Sequence, residues 1–412
     1  MQTGHGRQKV SIKTFVFMDL EGTGLFPEEP LNPLYFPQCS SDNARNTSNL
    51  LETYILSTPQ NDAPRITEIS LVSVSRNQIE NAINQLNLSL DVTDKPLTSN
   101  SVRSIVRLPC DIHTRQVNPQ LDERGWNSYE LRRIRNKVFH YSRSNLEEKN
   151  TFAVEWEGVK LFLEHLPKPV CILAHNGIKY DFRVLYAEFS RAGLLNLKPI
   201  PPKVYFVDSY IMFVDVEKKL HDEVRLLTEC VDWKKVTANS RTLDISCSLF
   251  SETMEGTSRD LNNQREQSLD GQTSSQNMEE TVRVNDMYRY KQYETPCKQS
   301  LKSESHSEPA KLVRRRLSFE ISGDHPLHYV KTSRWSPAKK IRLEPNFFRR
   351  SSEGEWEFDN HFALQYFTKK GVFRLEDMYY QLTKRRFNAH FAQDDCEALL
   401  QICLFYGKDF LD

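Results

Sequence analysis

The sequence predicts an α/β protein, in which helices pack on a sheet. Apolar runs of strand length occur at Thr14–Met18, Ile66–Val74 and Val170–Ala174, and polar segments bound each run. Runs of this length and composition are typical of buried strands. Segments in which apolar side chains recur every three or four residues lie between and after these runs. Strands that alternate with helices are the pattern of an α/β sheet.

The remaining elements follow from the same periodicities. We expect Leu86–Val92 and Val102–Leu108 to form a third and a fourth strand, or one interrupted pair. Val204–Val207 is a short predicted strand that ends in Asp208. The predicted helices are Phe152–Leu166, Phe182–Ala192, His361–Lys369, Arg374–Leu382 and Asp394–Phe405.

The middle of the chain has the composition of a disordered segment. Residues 251–310 are rich in Ser, Gln, Asn and Glu, and such a segment cannot bury enough apolar area to offset the entropy of ordering. Residues 311–350 follow, with eleven Lys or Arg against three Asp or Glu. We expect a flexible N-terminus at 1–11 and a discontinuous folded domain made of 12–217 and 358–412. Between the two parts of that domain, 218–357 form a long, largely disordered insertion.

Composition narrows the location and the class of protein. No stretch approaches the roughly 18–20 apolar residues of a membrane span, and the N-terminus lacks the apolar core of a signal peptide. We therefore expect no membrane association and a location in the nucleus, the cytoplasm or both. The eight cysteines form no CxxC pair, so no zinc framework is expected. The net charge is zero and by itself indicates no partner.

Two basic motifs lie in the insertion. Arg314–Ser318 resembles a site for a basophilic kinase, and Lys339–Arg342 resembles a nuclear import signal. The alternative for both is a solvated basic tether that attracts phosphate backbones without specificity.

An acidic pair stands at the end of the first predicted strand. Side chains alternate along a strand, so Asp19 and Glu21 project from the same face. Two neighbouring carboxylates raise each other's pKa, and a divalent cation such as Mg²⁺ or Mn²⁺ removes the repulsion. Gly22 and Gly24 follow and allow the backbone to turn and a ligand to approach. The alternative interpretation is a solvated strand end with a turn.

Three further polar residues stand beside element boundaries. Asp181 follows a predicted strand and precedes a helix, at the end of the sheet where sites form in α/β proteins. His390 precedes Asp395 by five residues, and an imidazole can accept a proton from water near neutral pH. The alternatives are helix N-caps for the two aspartates and a surface position for His390. Together with the acidic pair, these residues favour a metal-dependent active site.

The sequence around these residues resembles a known group of nucleases. The segments FVFMDLEGTGL, AHNGIKYDFRVL and HFAQDDCEALLQIC are similar to the three motifs of the DEDDh exonucleases, in the DnaQ-like, ribonuclease H-like superfamily. The Gly-x-x-Tyr-Asp-Phe spacing is most similar to the three-prime repair exonuclease (TREX) family. The resemblance covers about residues 12–215 and 358–412 and leaves out the insertion. It implies a ribonuclease H-like mixed sheet flanked by helices.

The resemblance also implies an activity. It is that of a metal-dependent 3′→5′ DNA exonuclease, which releases nucleoside 5′-monophosphates from the 3′ ends of single-stranded or frayed DNA. Asp19, Glu21, Asp181 and Asp395 would hold two Mg²⁺ ions, for which Mn²⁺ can substitute, and His390 would be the general base. Two ions about 4 Å apart stabilise the attacking and the leaving oxygen. The family is commonly dimeric, which implies a homodimer, with an edge strand as the candidate interface.

A second set of positions matches those that hold the terminal nucleotide or its phosphates in the family. These substrate-binding residues are Gly22, Thr23, Gly24, Leu25, Asn176, Lys179 and Tyr180. Lys179 stands where the family often has Arg and keeps the positive charge. Arg124-Gly125-Trp126 stands where the family usually has Thr-Gly-Leu. Trp126 either stacks on a base or belongs to the core. Phe26 replaces a common proline.

Two other functions fit the same motifs. An RNA 3′→5′ exonuclease would use the same metal site, because sugar preference depends on contacts around the 2′ position. A catalytically silent nucleic-acid-binding module is less favoured, since all five catalytic residue types are present.

Overall fold

The structure is a computed structural model, and it describes residues 11–26, 63–91, 106–135, 139–236, 325–329, 335–343 and 345–411. The chain divides into two units, Met1–Val231 with Pro326–Asp412, and Asp232–His325. Of the second unit, residues 232–236 and 325 are described, and there the Asp232 carboxylate accepts a hydrogen bond from the backbone N–H of Lys235. All the named elements belong to the first unit.

A five-stranded mixed sheet forms the centre of the first unit. Its strands are β1 Thr14–Gly22, β2 Ile66–Ser75, β3 Asp111–Gln116, β4 Val170–Ala174 and β5 Val204–Asp208. Their order across the sheet is β3-β2-β1-β4-β5. The first three strands pair antiparallel, whereas β1 with β4 and β4 with β5 pair parallel. This order and these directions are those of a ribonuclease H-like α/β fold, which confirms the predicted fold class.

Helices cover both faces of this sheet. In chain order they are α1 Arg76–Asp91, α2 Glu123–Arg135, α3 Arg143–Leu146, α4 Phe152–His165, α5 Asp181–Arg191, α6 Leu194–Leu197, α7 Ser209–Cys230, α8 Pro337–Arg342, α9 Asn360–Thr368, α10 Leu375–Thr383, α11 Ala392–Tyr406 and α12 Lys408–Leu411. A small hairpin precedes α9 and consists of β6 Phe348–Arg350 and β7 Trp356–Phe358.

The core lies on the two sides of β1. Phe15 and Phe17 pack in the cluster that contains α11, α1 and α10. Val16, Met18 and Leu20 pack in the cluster that contains α4 and α5. This alternation is the period of two that a strand buried on both faces requires. It places Asp19 and Glu21 in line with Phe15 and Phe17, on the side of α11.

One predicted strand is wrong. Leu86 lies in α1, because Ile79, Ala82, Ile83 and Leu86 are all buried on one face of that helix. Their spacing of three and four residues is helical. The third strand is β3, with the sequence DIHTRQ, and all its residues are exposed or half-buried. Within the predicted strand Val102–Leu108, residues 106–108 form no regular element and the others lie outside the described residues.

The ends of the predicted insertion belong to the fold. The expected boundary at residue 217 falls within α7, where Leu220 and Val224 pack against Phe347 and Phe348 near the hairpin. Most of the segment predicted to be disordered, and the motif Arg314–Ser318, lie outside the described residues. Among the helices of the described part, none is long and apolar enough to cross a membrane.

The basic motif Lys339–Arg342 is part of α8. Arg342 is buried and pairs with the Glu217 carboxylate, which also accepts a 2.5 Å hydrogen bond from the Tyr406 hydroxyl. Lys339 forms an ion pair of 2.9 Å with Asp409. Lys339 and Arg342 of the motif therefore form ion pairs within the fold, whereas Lys340 is exposed.

Candidate active site

The acidic pair lies at the end of β1. Asp19 and Glu21 are both half-buried and separated by the buried Leu20, as expected for one face of a strand. β2 runs antiparallel beside them and places Ser70 opposite Asp19 and Glu68 opposite Glu21. The second strand therefore brings a third carboxylate next to the pair.

Asp181 approaches the pair from α5. It is the first residue of that helix, and the N-cap position belongs to Tyr180. Its side chain is buried, and its Oδ1 accepts a 3.0 Å hydrogen bond from the backbone N–H of Leu20. The carboxylate thus contacts β1 from the first residue of its helix. The N-cap alternative for Asp181 is excluded by this geometry.

The third motif enters the site at the start of α11. Asp395 is buried in the first turn, and its Oδ2 accepts a 2.8 Å hydrogen bond from the backbone N–H of His390. The N-cap of α11 is Phe391. His390 has a φ of 69°, in the left-handed region, and its side chain is 43 % exposed with Nε2 3.7 Å from a carboxylate oxygen of Glu376. The imidazole is therefore accessible to solvent beside the carboxylates.

Three carboxylates form a group that fits a metal ion. One oxygen from each of Asp19, Glu21 and Asp395 lies within 4.8 Å of the others. Burial, and after it the charge of Glu68, raises the pKa of Asp19 to about 7. Burial and the charge of Asp19 raise the pKa of Asp395 to about 9.

The same two causes act on the other members. Burial first, and next the charge of Asp19, raise the pKa of Glu21 and of Asp181 well above the usual range. Crowded carboxylates of this kind need a compensating cation, and oxygen donors suit Mg²⁺ or Mn²⁺. The donor set therefore fits a divalent metal ion.

The turn after β1 packs against Tyr180. A Cβ added at Gly22 would collide with the Tyr180 hydroxyl, so a larger residue here would displace the Tyr180 side chain. The same hydroxyl donates a 3.0 Å hydrogen bond to the carbonyl of Gly24. Thr23 is buried, and its Oγ1 accepts a hydrogen bond from the backbone N–H of Arg65. Leu25, at the tip, is 81 % exposed.

The loop before α5 is held by Asp208. Its carboxylate accepts hydrogen bonds from the backbone N–H groups of Asn176, Ile178 and Tyr210. Asn176 has a φ of 65°. Lys179 is exposed on this loop, with Nζ 5.9 Å from the centre of the Tyr210 ring. The candidate substrate residues of the second motif thus sit on a loop that one buried carboxylate organises.

The structure resolves the two interpretations of Trp126. This side chain is 3 % exposed and packs with Tyr129 and Leu146 in a small core cluster under α2. A ring buried to this extent belongs to the core and is not available to stack on a base. Phe26, which replaces the family's proline, lies under the guanidinium of Arg183, whose Cζ is 3.7 Å from the ring centre.

Four residues beside the site were not predicted from the sequence: Glu68, Tyr141, Glu376 and His140. Glu68 receives hydrogen bonds from the Tyr141 hydroxyl and the Ala392 backbone N–H. Glu376 lies beside His390. The ring of His140 stacks on Phe391 with centroids 3.9 Å apart. One signal was visible in the sequence: Glu68 is the one charged residue within β2.

Comparisons with known proteins add little to this geometry. No protein-family model and no curated protein matches the chain. Among solved structures, the chain is similar to one described as the zinc-ion-bound form of an E. coli ExoI–ssDNA complex, at 11 % identity and a TM-score of 0.25. The match covers 50 % of this chain and 30 % of that chain, so it spans less than a third of the length of the solved structure.

Proposed function

We propose that this chain is a metal-dependent 3′→5′ DNA exonuclease of the DEDDh type, most similar in its motifs to the TREX family. The observation that carries the proposal is the convergence of three carboxylates, from Asp19, Glu21 and Asp395, within 4.8 Å. These residues come from the two ends of the chain, Asp181 joins them from the start of α5, and His390 lies beside Asp395 in the same motif. The fold class is compatible with a nuclease but does not identify the activity, because one fold can host many functions.

In this proposal Asp19, Glu21, Asp181 and Asp395 hold two Mg²⁺ ions, for which Mn²⁺ can substitute. Bound divalent ions stabilise negative charge on phosphate oxygens and lower the pKa of bound water. The raised pKa values of Asp19 and Asp395 support this assignment, because the four carboxylates repel each other and a cation would offset that repulsion.

His390 acts as the general base. Its imidazole is accessible at the edge of the site and can accept a proton from the attacking water. The Glu376 carboxylate, 3.7 Å from Nε2, stabilises the imidazolium that forms. The backbone N–H of His390 donates a hydrogen bond to Asp395, so the proposed base and a proposed metal ligand are held together.

Residues of the first two motifs hold the 3′ end of the substrate. The exposed Leu25 contacts the terminal base, and the turn from Gly22 to Gly24 lets backbone groups approach the 3′ hydroxyl. On the facing loop, Lys179 attracts the phosphate backbone, and Tyr180 fixes the turn through its hydrogen bond to Gly24. Thr23 and Asn176 complete the group of substrate residues. The product is a nucleoside 5′-monophosphate.

We also propose that the protein is a homodimer. β3 lies at the edge of the sheet and pairs with β2 on one side. Its Ile112 is 43 % exposed. An edge strand offers backbone groups for pairing with a second chain, and β3 is therefore the candidate interface. Sedimentation equilibrium of the full chain, with Ile112→Lys as the disrupting variant, tests this assignment.

One assay tests the activity and the substrate. The full-length protein is incubated with 5′-labelled single-stranded DNA, RNA of the same sequence and a duplex with a 3′ overhang, each with Mg²⁺ and with EDTA. We expect Mg²⁺-dependent shortening of both DNAs from the 3′ end. Shortening of RNA alone would replace the proposal with an RNA exonuclease. Absence of shortening on all three substrates would reject the enzymatic function.

Matched substitutions test the roles. Asp19→Asn and His390→Ala should each lower turnover by more than about a hundredfold, since even partners one step removed from a metal cost about 10–100-fold. His361→Ala is the control, because His361 is exposed on α9 and bonds to Gln365. Near-normal turnover in either active-site variant would contradict the assigned role.

A further inference from the structure

Glu68 is a buried carboxylate that the proposed metal set does not include. It lies on β2 opposite Glu21 and is 5 % exposed. The oxygens that fall within 4.8 Å of one another come from Asp19, Glu21 and Asp395, and not from Glu68. A buried carboxylate is costly unless it is hydrogen-bonded. Hydrogen bonds to both of its oxygens account for its place beside the site.

Both oxygens of Glu68 receive hydrogen bonds from groups distant in the sequence. Oε1 accepts a 2.7 Å bond from the Tyr141 hydroxyl. Oε2 accepts a 3.1 Å bond from the backbone N–H of Ala392, the first residue of α11. A helix N-terminus carries N–H groups without partners inside the helix. Glu68 satisfies one of these and thereby ties β2 to the start of α11.

The start of α11 carries the third motif. The residue before its N-cap, His390, donates its backbone N–H to Asp395, and Asp395 donates its own to Phe391. A shift of Ala392 would therefore move both His390 and Asp395. The other side chains of the acidic group, Asp19 and Glu21, are fixed on β1. The bond from Glu68 to Ala392 is thus a link between the two halves of the site.

The segment with Tyr141 supports the same turn from a second side. The Tyr129 hydroxyl on α2 donates a 2.8 Å hydrogen bond to the carbonyl of Tyr141. The neighbouring His140 ring stacks on Phe391, with centroids 3.9 Å apart and planes 13° from parallel. α2 and the segment 139–141 thus hold Glu68 and the residues before α11 together.

We infer that Glu68, oriented by Tyr141, is a positioning residue that sets the distance of His390 and Asp395 from Asp19 and Glu21. The inference rests on the proposed nuclease function and deepens it. It assigns Glu68 no contact with the substrate or a metal ion. Partners of this kind orient the groups that bind a metal, and their loss costs about 10–100-fold in metal affinity or activity.

The experiment compares three variants of the full chain. Glu68→Gln retains the shape of the side chain but replaces one oxygen with an amide nitrogen, which cannot accept a hydrogen bond. Tyr141→Phe removes one donor to Glu68. Tyr406→Phe is the matched control, because the Tyr406 hydroxyl also donates to a buried carboxylate, that of Glu217, at 2.5 Å. Tyr406 lies at the opposite end of α11, about 21 Å from Ala392 at 1.5 Å of rise per residue.

Two quantities are measured for each variant. The first is kcat and KM on single-stranded DNA with Mg²⁺. The second needs no substrate: the Mn²⁺ concentration that gives half of the metal-induced rise in melting temperature. We expect Glu68→Gln and Tyr141→Phe to lower kcat about 10–100-fold with little change in KM, and to raise the Mn²⁺ midpoint about tenfold. Tyr406→Phe should lower the metal-free melting temperature and leave kcat and the Mn²⁺ midpoint unchanged.

The outcomes separate the inference from the proposed function. If wild-type protein shortens no nucleic acid, the function fails, and the Mn²⁺ midpoints still decide whether Glu68 positions the acidic group. If the wild type is active but both variants retain its kcat and midpoint, the inference is overturned. If Tyr406→Phe lowers kcat as much as the two variants do, the role of Glu68 is one of general stability and the inference is also overturned. A Glu68→Gln protein that no longer responds to Mn²⁺ would identify Glu68 as a metal ligand instead.

Discussion

The carboxylate of Asp181 accepts a 3.0 Å hydrogen bond from the backbone N–H of Leu20, a residue 161 positions earlier in the chain. Leu20 lies between Asp19 and Glu21, and its own side chain points into the core on the other face of the sheet. The bond therefore places the second acidic motif beside the first while leaving the side chains of the pair directed to the site. It also fixes one oxygen of Asp181.

Asp181→Asn should abolish activity and stabilise the metal-free protein. Turnover should fall by more than about a hundredfold, because a proposed ligand is lost. The melting temperature in EDTA should rise, because burial and the neighbouring Asp19 raise the pKa of this carboxyl and the neutral amide removes a buried, repelling charge. Scanning calorimetry in EDTA, together with the DNA-shortening assay, measures both effects.

Asp208→Asn is the control for that substitution. Asp208 is also a buried aspartate, but its oxygens accept three backbone N–H bonds. The amide nitrogen of Asn cannot accept such bonds, so the melting temperature should fall. An equal change of melting temperature in the two variants would contradict the electrostatic explanation for Asp181.

Gly22→Ala should disturb the first turn through one contact. The added Cβ would collide with the Tyr180 hydroxyl and lie 3.2 Å from the Arg65 carbonyl. Overpacking of this kind costs about 1–3 kcal/mol, and we expect reduced activity because the turn contributes to the proposed site. Urea unfolding of the variant measures the loss of stability.

The double variant Gly22→Ala with Tyr180→Phe tests whether that collision is the cause. Removal of the hydroxyl removes the nearest atom, so part of the lost stability should return. Residues in direct contact give non-additive effects in a double-mutant cycle. Additive losses would show that the Tyr180 hydroxyl is not responsible.

The central strands and the site motifs were predictable because their signals are local. The apolar run before Asp19 and the runs of β2 and β4 are short and bounded by polar residues. The last helix was also correctly predicted, from Asp394–Phe405. That helix, α11, packs on both β1 and β2 and is buried along most of its length. Deleting the last thirty residues should therefore unfold the protein and not only silence it.

The remaining features depend on contacts that no local pattern reveals. β3 is an exposed edge strand with little apolar content, so periodicity could not identify it. The two hydrogen-bond partners of Glu68 lie 73 and 324 residues away. Arg342 belongs to a stretch that reads as a solvated basic tether, yet it is buried against Glu217. These positions are set by tertiary packing.

His175 should make the protein less stable in mild acid. Its ring bonds to Ser209 and to the carbonyl of Phe373, and burial lowers its pKa from 6.5 to about 4. Because the unfolded state binds the proton more readily, stability is lost as pH falls below 6.5 towards 4. Between pH 7.5 and pH 5 the wild type should lose about 2 kcal/mol more than His175→Asn.

Urea unfolding of both proteins in EDTA at the two pH values measures this difference, since the other titrating groups contribute equally to both and cancel. His165→Asn is the control, because His165 is exposed at the end of α4. That variant should lose as much stability as the wild type between the two pH values. Equal pH dependence of wild type and His175→Asn would exclude His175 as the source.

Arg342→Ala should destabilise the whole domain. Its guanidinium pairs with Glu217, donates to Gln381 at 2.6 Å, and donates to the carbonyl of Val372. Removing one partner of a buried ion pair leaves an uncompensated charge and costs about 3–5 kcal/mol. Arg349→Ala, in the nearby hairpin, is the control, because its ion pair with Glu357 is exposed and such pairs contribute about 0–1 kcal/mol.

The two variants also test whether residues 339–342 fold as a part of the domain. If the segment were a solvated tether, Arg342→Ala and Arg349→Ala would change the free energy of unfolding equally little. If Glu217 is left unpaired by the substitution, Glu217→Gln in the Arg342→Ala background should recover part of the loss, because the buried charge is removed. Urea unfolding of the single and double variants at pH 7.5 distinguishes the two cases, and a lack of recovery would contradict the ion pair as the source of the stability.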